Sequence, residues 1–233
     1  MIAGLQKMTL LDFPGKVACT VFLQGCNWRC PFCHNSELLA GKGEPLMDET
    51  AFFKFLATRK GLLEGVAVSG GEPTLYKELP GFLQRIKDLG FAVKLDTNGS
   101  RPEVLKELVA QDLVDYVAVD AKNAPALYGK TVGREDFDLA PVEETIRFLM
   151  GGDVPYELRT TLVDPLHDET SVVELGNWLS SLVPGKKPEK LFLQRFADRD
   201  TVAFSGFAAP EEDVVERWAQ LLAPYVETVT IRN

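Results

Sequence analysis

The chain has 233 residues, of which 45% are hydrophobic and 25% are charged, a composition typical of globular proteins. This apolar content excludes a disordered chain, and no apolar run approaches the roughly 18 residues of a membrane-spanning helix. The formal net charge of -9 argues against a mainly electrostatic hold on DNA or RNA, so neither a nucleic-acid partner nor a membrane partner is expected. The N-terminal residues lack the pattern of a secretory signal, which predicts a cytoplasmic location.

Apolar runs and helical patterns alternate along the chain. Strands are predicted at residues 17–23, 65–69, 91–96, 116–120, 156–163 and 191–195, with a terminal extended piece at 226–231. Helices are predicted at residues 48–59, 79–89, 102–110, 141–150, 170–182 and 210–222, and a long polar loop at 121–138. Six strand–helix units without a linker predict one α/β domain over residues 1–233, with a parallel sheet in a partial, open (β/α)6 TIM-like barrel. In such sheets the functional residues lie at the carboxyl ends of the strands.

Three cysteines, Cys26, Cys30 and Cys33, follow the first predicted strand with the spacing C-x3-C-x2-C. Three thiolates on one short loop can bind three irons of a [4Fe–4S] cluster and leave the fourth iron open for chemistry. A structural zinc site with His34 or Cys19 as the fourth ligand is the alternative, disfavoured because the usual second ligand pair is missing. Cys19 itself lies in a predicted strand and is expected to be a small buried apolar residue.

Polar motifs follow the later predicted strands. In chain order they are Gly70-Gly71-Glu72-Pro73, Asp96-Thr97-Asn98-Gly99, Asp120-Ala121-Lys122, Arg159 in the fifth strand and Gln194 in the sixth. Taken alone, these residues are typical of turns, Asx caps and rim ion pairs. Residues 124–131 match a loose phosphate-binding pattern but lack the glycine-rich strand-to-helix turn, so a nucleotide site is rejected. His167 is expected to be an exposed loop residue.

The cysteine spacing, with Phe32 as the aromatic residue before Cys33, resembles the motif of the radical S-adenosylmethionine (SAM) superfamily. The resemblance implies that SAM binds the open iron through its methionyl group. It also implies that the reduced cluster cleaves SAM to methionine and a 5′-deoxyadenosyl radical. The cofactor-binding residues that it implies are Phe32, Gly70, Gly71, Glu72, Thr97, Asn98, Lys122, Arg159 and Gln194.

Individual roles also follow from this resemblance. The glycine backbone of the Gly-Gly-Glu-Pro loop is expected to approach the SAM amino group, with Glu72 positioning that amine. Arg159 matches an arginine that contacts the SAM carboxylate in glycyl-radical-enzyme activases, whereas Gln194 stands where some activases have an adenosine-contacting histidine. Similarity to glycyl-radical-enzyme activases further implies a monovalent cation beside the SAM carboxylate, held by Asp96, Thr97 and Asp120.

The run Asp12-Phe13-Pro14-Gly15-Lys16, together with Cys33-His34-Asn35, is similar to the activating proteins of anaerobic ribonucleoside-triphosphate reductase. This implies that the protein places a glycyl radical on the large subunit of that reductase, with a flavodoxin- or ferredoxin-type electron donor. One cysteine outside the motif leaves too few ligands for an auxiliary cluster, which fits a small activase.

Three alternatives to this function stay open. One is a small-molecule enzyme of the 7-carboxy-7-deazaguanine synthase type, and another is an activase of a pyruvate formate-lyase-type enzyme. The third is a non-enzymatic iron–sulfur electron carrier, disfavoured because its cluster would have four protein ligands.

Overall fold

The computed structural model describes residues 2–39, 46–198, 201–202 and 204–232. The chain divides into two compact units. The first comprises Met1–Asn27, Glu37–Thr97 and Glu103–Ala118, and the second comprises Trp28–Ser36, Asn98–Pro102 and Val119–Asn233. A single radical SAM domain, with a core at about residues 15–200 and a C-terminal helix and strand at 208–233, stays a prediction.

Strands and helices alternate along the chain, as the sequence predicts. The strands are β1 (Ile2–Thr9), β2 (Ala18–Leu23), β3 (Gly65–Gly70), β4 (Ala92–Thr97), β5 (Tyr116–Asp120), β6 (Tyr156–Leu162), β7 (Lys190–Arg195) and β8 (Thr228–Arg232). The helices are α1 (Ser36–Leu39), α2 (Glu49–Ala57), α3 (Leu79–Asp88), α4 (Pro102–Ala110), α5 (Pro125–Val132), α6 (Ala140–Gly151), α7 (Glu169–Ser181) and α8 (Glu212–Leu222), and a 3₁₀ turn covers Pro73–Leu75.

Parallel strand pairs dominate both units. In the first unit, β2 pairs in parallel with β3 and β3 with β4, while β1 runs antiparallel to β2. In the second unit, β6 pairs in parallel with β7 and β7 with β8. Residues of β2 and β3 such as Val21, Val66 and Val68 are fully buried, as expected for strands covered on both faces. The predicted α/β fold with a parallel sheet is thus confirmed.

Strand β1, the four-residue helix α1 and helix α5 were not predicted from the sequence. Strand β1 is half-buried and exposed at residues 6–8, so it lacks the continuous apolar run that marks β2. Helix α5 lies within the predicted polar loop, and Gly129 at its centre lowers its helix propensity. The structure requires that glycine, because a Cβ there would lie 2.7 Å from the carbonyl oxygen of Arg134. The terminal extended piece is a regular strand, β8.

Among the residues that the structure describes, no helix combines the length and apolar character needed to cross a membrane.

Candidate functional site

The Gly-Gly-Glu-Pro loop is bound to the backbone just before the first motif cysteine. Gly71 N donates to Leu23 O at 2.9 Å, and Glu72 N donates to Gly25 O at 2.7 Å. A Cβ on Gly70 would lie 2.2 Å from Leu23 O, and one on Gly71 would lie 2.1 Å from Gly25 O. Gly70 also has φ of +125°, which favours glycine. Backbone packing within the first unit therefore already requires both glycines, apart from any approach to SAM.

Glu72 is a buried carboxylate whose orientation is fixed. It is only 1% exposed and caps the 3₁₀ turn that follows it. Its Oε1 atom accepts hydrogen bonds from Thr74 N at 3.0 Å and from Thr97 Oγ1 at 2.7 Å, and the Thr74 hydroxyl donates to the same atom. Because Thr97 ends β4, the loop after β3 and the end of β4 are connected through this carboxylate.

Strand β4 carries a buried ion pair that the sequence analysis did not single out. The Lys94 ammonium donates to Asp96 Oδ1, two residues further along the same face of the strand. The side chains of Lys94 and Asp96 are 1% and 9% exposed. Lysine is rarely buried to this extent unless it is paired, so this contact accounts for its position.

All four cysteines lie in the part of the chain that the structure describes, and all are thiols. Cys26, Cys30 and Cys33 are partly exposed, whereas Cys19 is buried in β2, as predicted, and burial raises its pKa to about 12. Burial also raises the pKa of the Cys33 thiol, while a hydrogen bond from the Asn35 backbone and the nearby Lys122 ammonium oppose that rise. The three motif thiols are therefore accessible ligands, in contrast to Cys19.

In the second unit, the end of β5 and strand β6 bring together three predicted site residues. Asp120 Oδ2 lies 3.0 Å from Lys122 Nζ, and Asp120 Oδ1 lies 3.3 Å from Arg159 Nε. The side chains of Lys122 and Arg159 are 14% and 15% exposed. Burial by itself would lower the pKa of Lys122, but the charges of Asp120 and Cys30 outweigh it and raise the pKa above its ordinary value. Lys122 is therefore an ammonium at neutral pH.

Tyr128 and His167 hold the Asp120–Lys122 turn in place. Lys122 N donates to Tyr128 Oη at 3.3 Å, and that hydroxyl donates to Asp120 O at 3.0 Å. His167 Nε2 donates to Lys122 O at 2.9 Å, and its Nδ1 accepts from Val163 N at 3.1 Å. The prediction that His167 is an exposed loop residue is wrong, because this ring is 4% exposed and satisfies two buried backbone groups.

The cysteine loop of the second unit rests on helix α5. Arg29 N donates to Val132 O at 2.9 Å, and the Trp28 ring packs edge-on against Tyr128 with centroids 6.0 Å apart. Helix α5 ends at Gly133, where φ is +68° and a Cβ would lie 2.2 Å from Arg29 O. The helix that the sequence analysis missed thus supports the loop that carries Cys30 and Cys33. The signal that could have revealed it is the Pro125 start with the Gly133 stop.

The remaining predicted residues occupy separate positions. Phe32 is 4% exposed in an apolar cluster of the second unit, and Lys122 Nζ lies 6.0 Å from its ring centroid. Asn98 forms the expected Asx turn by accepting from Ser100 N at 2.9 Å. Gln194 is half-buried on β7. The cofactor roles of these three residues and the monovalent cation stay predictions.

The thiols of Cys26, Cys30 and Cys33 suit an iron–sulfur cluster as ligands. Accessible thiols are soft ligands of the kind that such clusters take. Within the described residues, no three His, Cys, Asp or Glu side chains gather around one point as ligands of a single ion do. A [4Fe–4S] cluster does not need that arrangement, because each thiolate binds a different iron. For SAM, the buried Glu72 carboxylate offers a partner for an amine, and Lys122 and Arg159 offer partners for a carboxylate.

Comparison with known proteins agrees with this chemistry. Residues 20–170 match the Radical SAM superfamily. The chain is 30% identical over 241 residues to the Methanocaldococcus jannaschii protein MJ1227, named as a glycyl-radical enzyme activating enzyme, covering 100% of this chain and 96% of that protein. It is 31% identical over 204 residues to the pyruvate formate-lyase-activating enzyme of Clostridium pasteurianum, covering 82% and 80% of the two chains.

A solved structure supports the fold. The structure of Streptococcus suis SuiB bound to the precursor peptide SuiA matches with a TM-score of 0.69 at 12% identity, covering 92% of this chain and 48% of SuiB. This likeness is consistent with the predicted open, partial barrel. The superfamily match covers most of the chain, and the match to MJ1227 extends over the whole of this chain. The chain therefore belongs to the radical SAM superfamily, whose cofactors are a [4Fe–4S] cluster and S-adenosylmethionine.

Proposed function

We propose that this protein is an activase that removes a hydrogen atom from the Cα of a glycine in a partner protein and so generates a glycyl radical. The observation that carries the proposal is the similarity to an activating enzyme over the full length of this chain. When bound, the cluster and SAM supply the reacting radical, with one electron from a reduced donor of the flavodoxin or ferredoxin type. The glycine hydrogen ends on 5′-deoxyadenosine.

The residues of the chain have distinct tasks in this proposal. Cys26, Cys30 and Cys33 are the cluster ligands. The fixed Glu72 carboxylate binds the SAM amine. Lys122 and Arg159, both held by Asp120, present positive charge to the SAM carboxylate.

The partner that we propose is the large subunit of anaerobic ribonucleoside-triphosphate reductase. Support comes from the Asp12–Lys16 element and the Cys33-His34-Asn35 ending. Asp12 has a structural role beside this resemblance, because its carboxylate accepts a hydrogen bond from the Thr20 hydroxyl of β2. An enzyme of the pyruvate formate-lyase type is the second candidate partner, favoured by the similarity to the Clostridium pasteurianum activating enzyme.

The test is anaerobic reconstitution with iron and sulfide, reduction, addition of SAM and incubation with each candidate partner. The expected result is 5′-deoxyadenosine by chromatography, together with a glycyl radical doublet by electron paramagnetic resonance on the reductase. A partner whose radical glycine is replaced by alanine is the matched control and should give no doublet.

Each other outcome contradicts a different part of the proposal. A doublet on the formate-lyase-type enzyme alone would overturn the choice of partner. Deoxyadenosine without a doublet on any partner would favour a small-molecule substrate. If the protein bound one zinc ion and no iron, the three cysteines would instead be ligands of a structural zinc site.

A further inference from the structure

The sequence predicts that a monovalent cation binds Asp96, Thr97 and Asp120. The structure shows that the chain itself supplies positive charge to Asp96, from the Lys94 ammonium. We infer that the Lys94 ammonium takes the place of that cation at Asp96, and that Lys94 is a positioning residue for SAM binding. The resemblance to glycyl-radical-enzyme activases implies a cation on Asp96, Thr97 and Asp120, but the structure places a cationic side chain on each of the two carboxylates. SAM binding in this protein therefore does not require Na⁺ or K⁺.

Asp96 is a buried carboxylate with a cationic partner on its own strand. Its side chain is 9% exposed, and the ammonium that it binds comes from Lys94, which is 1% exposed. A buried carboxylate without a partner would attract a cation from solvent, because its charge is poorly hydrated. With the ammonium in hydrogen-bond contact the pair is neutral, so a second cation would gain little attraction and would meet the charge of Lys94.

The Lys94–Asp96 pair is connected to the Gly-Gly-Glu-Pro loop through Thr97. Asp96 is followed by Thr97, whose hydroxyl donates to Glu72 Oε1 at 2.7 Å. Glu72 is the carboxylate proposed to bind the SAM amine. Neutralising Asp96 from within the strand keeps the end of β4 in the conformation that orients Glu72. Lys94 thus acts on SAM through Asp96, Thr97 and Glu72.

Asp120, in the second unit, also has cationic partners. Both of its carboxylate oxygens lie near cationic groups, Oδ2 at 3.0 Å from Lys122 Nζ and Oδ1 at 3.3 Å from Arg159 Nε. Two fixed cations on one carboxylate leave it without excess negative charge for a third. Each acid assigned to the cation is therefore already compensated within its own unit.

The inference rests on the SAM chemistry of the superfamily and on the role proposed for Glu72, but not on the identity of the protein partner. Its test accordingly uses the reconstituted holoprotein without a partner. The SAM dissociation constant is measured by titration calorimetry at constant ionic strength in tetramethylammonium chloride, KCl or NaCl. For the unmodified protein, the three values should agree within about twofold, because tetramethylammonium is too large for a site of carboxylate ligands.

The Lys94→Met variant keeps the length of the side chain and removes its charge. In tetramethylammonium chloride its SAM dissociation constant should rise about tenfold or more, and K⁺ should restore binding by taking the vacated position. Lys54→Met is the matched control, because Lys54 is exposed on α2, and its affinity should equal that of the unmodified protein in every salt. The double variant Lys94→Met, Asp96→Asn removes both charges and should not respond to K⁺.

Two results would overturn the inference. One is an unmodified protein whose SAM affinity falls about tenfold when K⁺ and Na⁺ are replaced, and this measurement stands even where Lys94→Met does not fold. The other is a folded Lys94→Met variant that binds SAM normally in tetramethylammonium chloride. Failure of the activase proposal would instead appear as normal SAM binding with no radical on any partner.

Discussion

Replacing Gly71 with alanine should uncouple the Gly-Gly-Glu-Pro loop from the cysteine loop. The added Cβ would lie 2.1 Å from Gly25 O and 2.6 Å from Gly25 C, both backbone atoms that no side-chain rotation can move. The loop must therefore shift by about 1 Å to reach ordinary van der Waals contact. That shift weakens the hydrogen bonds from Gly71 N to Leu23 O and from Glu72 N to Gly25 O.

The magnitude follows from these contacts. Two buried hydrogen bonds contribute about 1 kcal/mol each, and overpacking of this kind costs about 1–3 kcal/mol. Gly71→Ala should thus lower the free energy of unfolding by roughly 3–5 kcal/mol, a large part of the 5–15 kcal/mol typical of a folded protein. Because Gly25 directly precedes Cys26, iron bound per chain after reconstitution should fall as well.

The assay is urea unfolding under anaerobic conditions, followed by circular dichroism, with iron content measured in parallel. Gly81→Ala is the matched control, since Gly81 lies within α3 and a Cβ there meets nothing within 4 Å. Alanine in a helix is favoured over glycine by about 1 kcal/mol, so the control should be slightly more stable than the unmodified protein. If Gly71→Ala unfolds at the same urea concentration as Gly81→Ala, the argument from close backbone approach is wrong.

Three further predictions concern the motif and its support. Cys30→Ala should abolish the visible absorbance of the cluster and SAM cleavage, whereas Cys19→Ala should retain both. Tyr128→Phe removes a hydroxyl that serves two buried backbone groups and should lower the unfolding free energy by about 1–3 kcal/mol in urea titration, with an unchanged value contradicting its bracing role. Burial lowers the pKa of His167, so its contribution to stability is present above about pH 6.5 and is lost as the pH falls through the lower folded-state pKa. Replacing His167 with glutamine should flatten that part of the stability profile, and an unchanged profile would exclude its titration.

The sequence predicted those parts of the fold that local signals determine. Helix α4 and strand β5 have the predicted bounds, because Pro102 starts the helix and a β-branched run forms the strand. Helix α5 was missed because Gly129 lies inside it, and the close contact with Arg134 that requires this glycine is recorded in no local pattern. Gly129 thus weakened the helical signal at a position where tertiary packing requires a glycine.

Only those residues of the candidate site that belong to spaced motifs could be predicted from the sequence. The cysteine motif and the strand-end motifs selected the candidate residues, whose cofactor roles stay predictions, but they did not show how the charges of these residues are compensated. Lys94 in a strand has no sequence signature that distinguishes a buried ammonium from an exposed one, and His167 in a polar loop is typical of an exposed residue. Their roles depend on buried backbone and carboxylate partners, which only the folded chain brings to them.

The buried ion pairs of this chain fix the orientation of their carboxylates. Glu157 on β6 is fully buried and receives both Arg232 nitrogens of β8 at 2.9 Å, while the Arg232 guanidinium lies 3.4 Å from the Phe192 ring centroid. Such pairs seldom stabilise a fold more than apolar residues of equal volume, because desolvation offsets the attraction. Their value lies in orientation, since a buried carboxylate held by two bonds cannot rotate. The Lys94–Asp96 pair lies at the end of β4, where the Thr97 hydroxyl orients Glu72, the carboxylate that the SAM-binding proposal needs in a fixed direction.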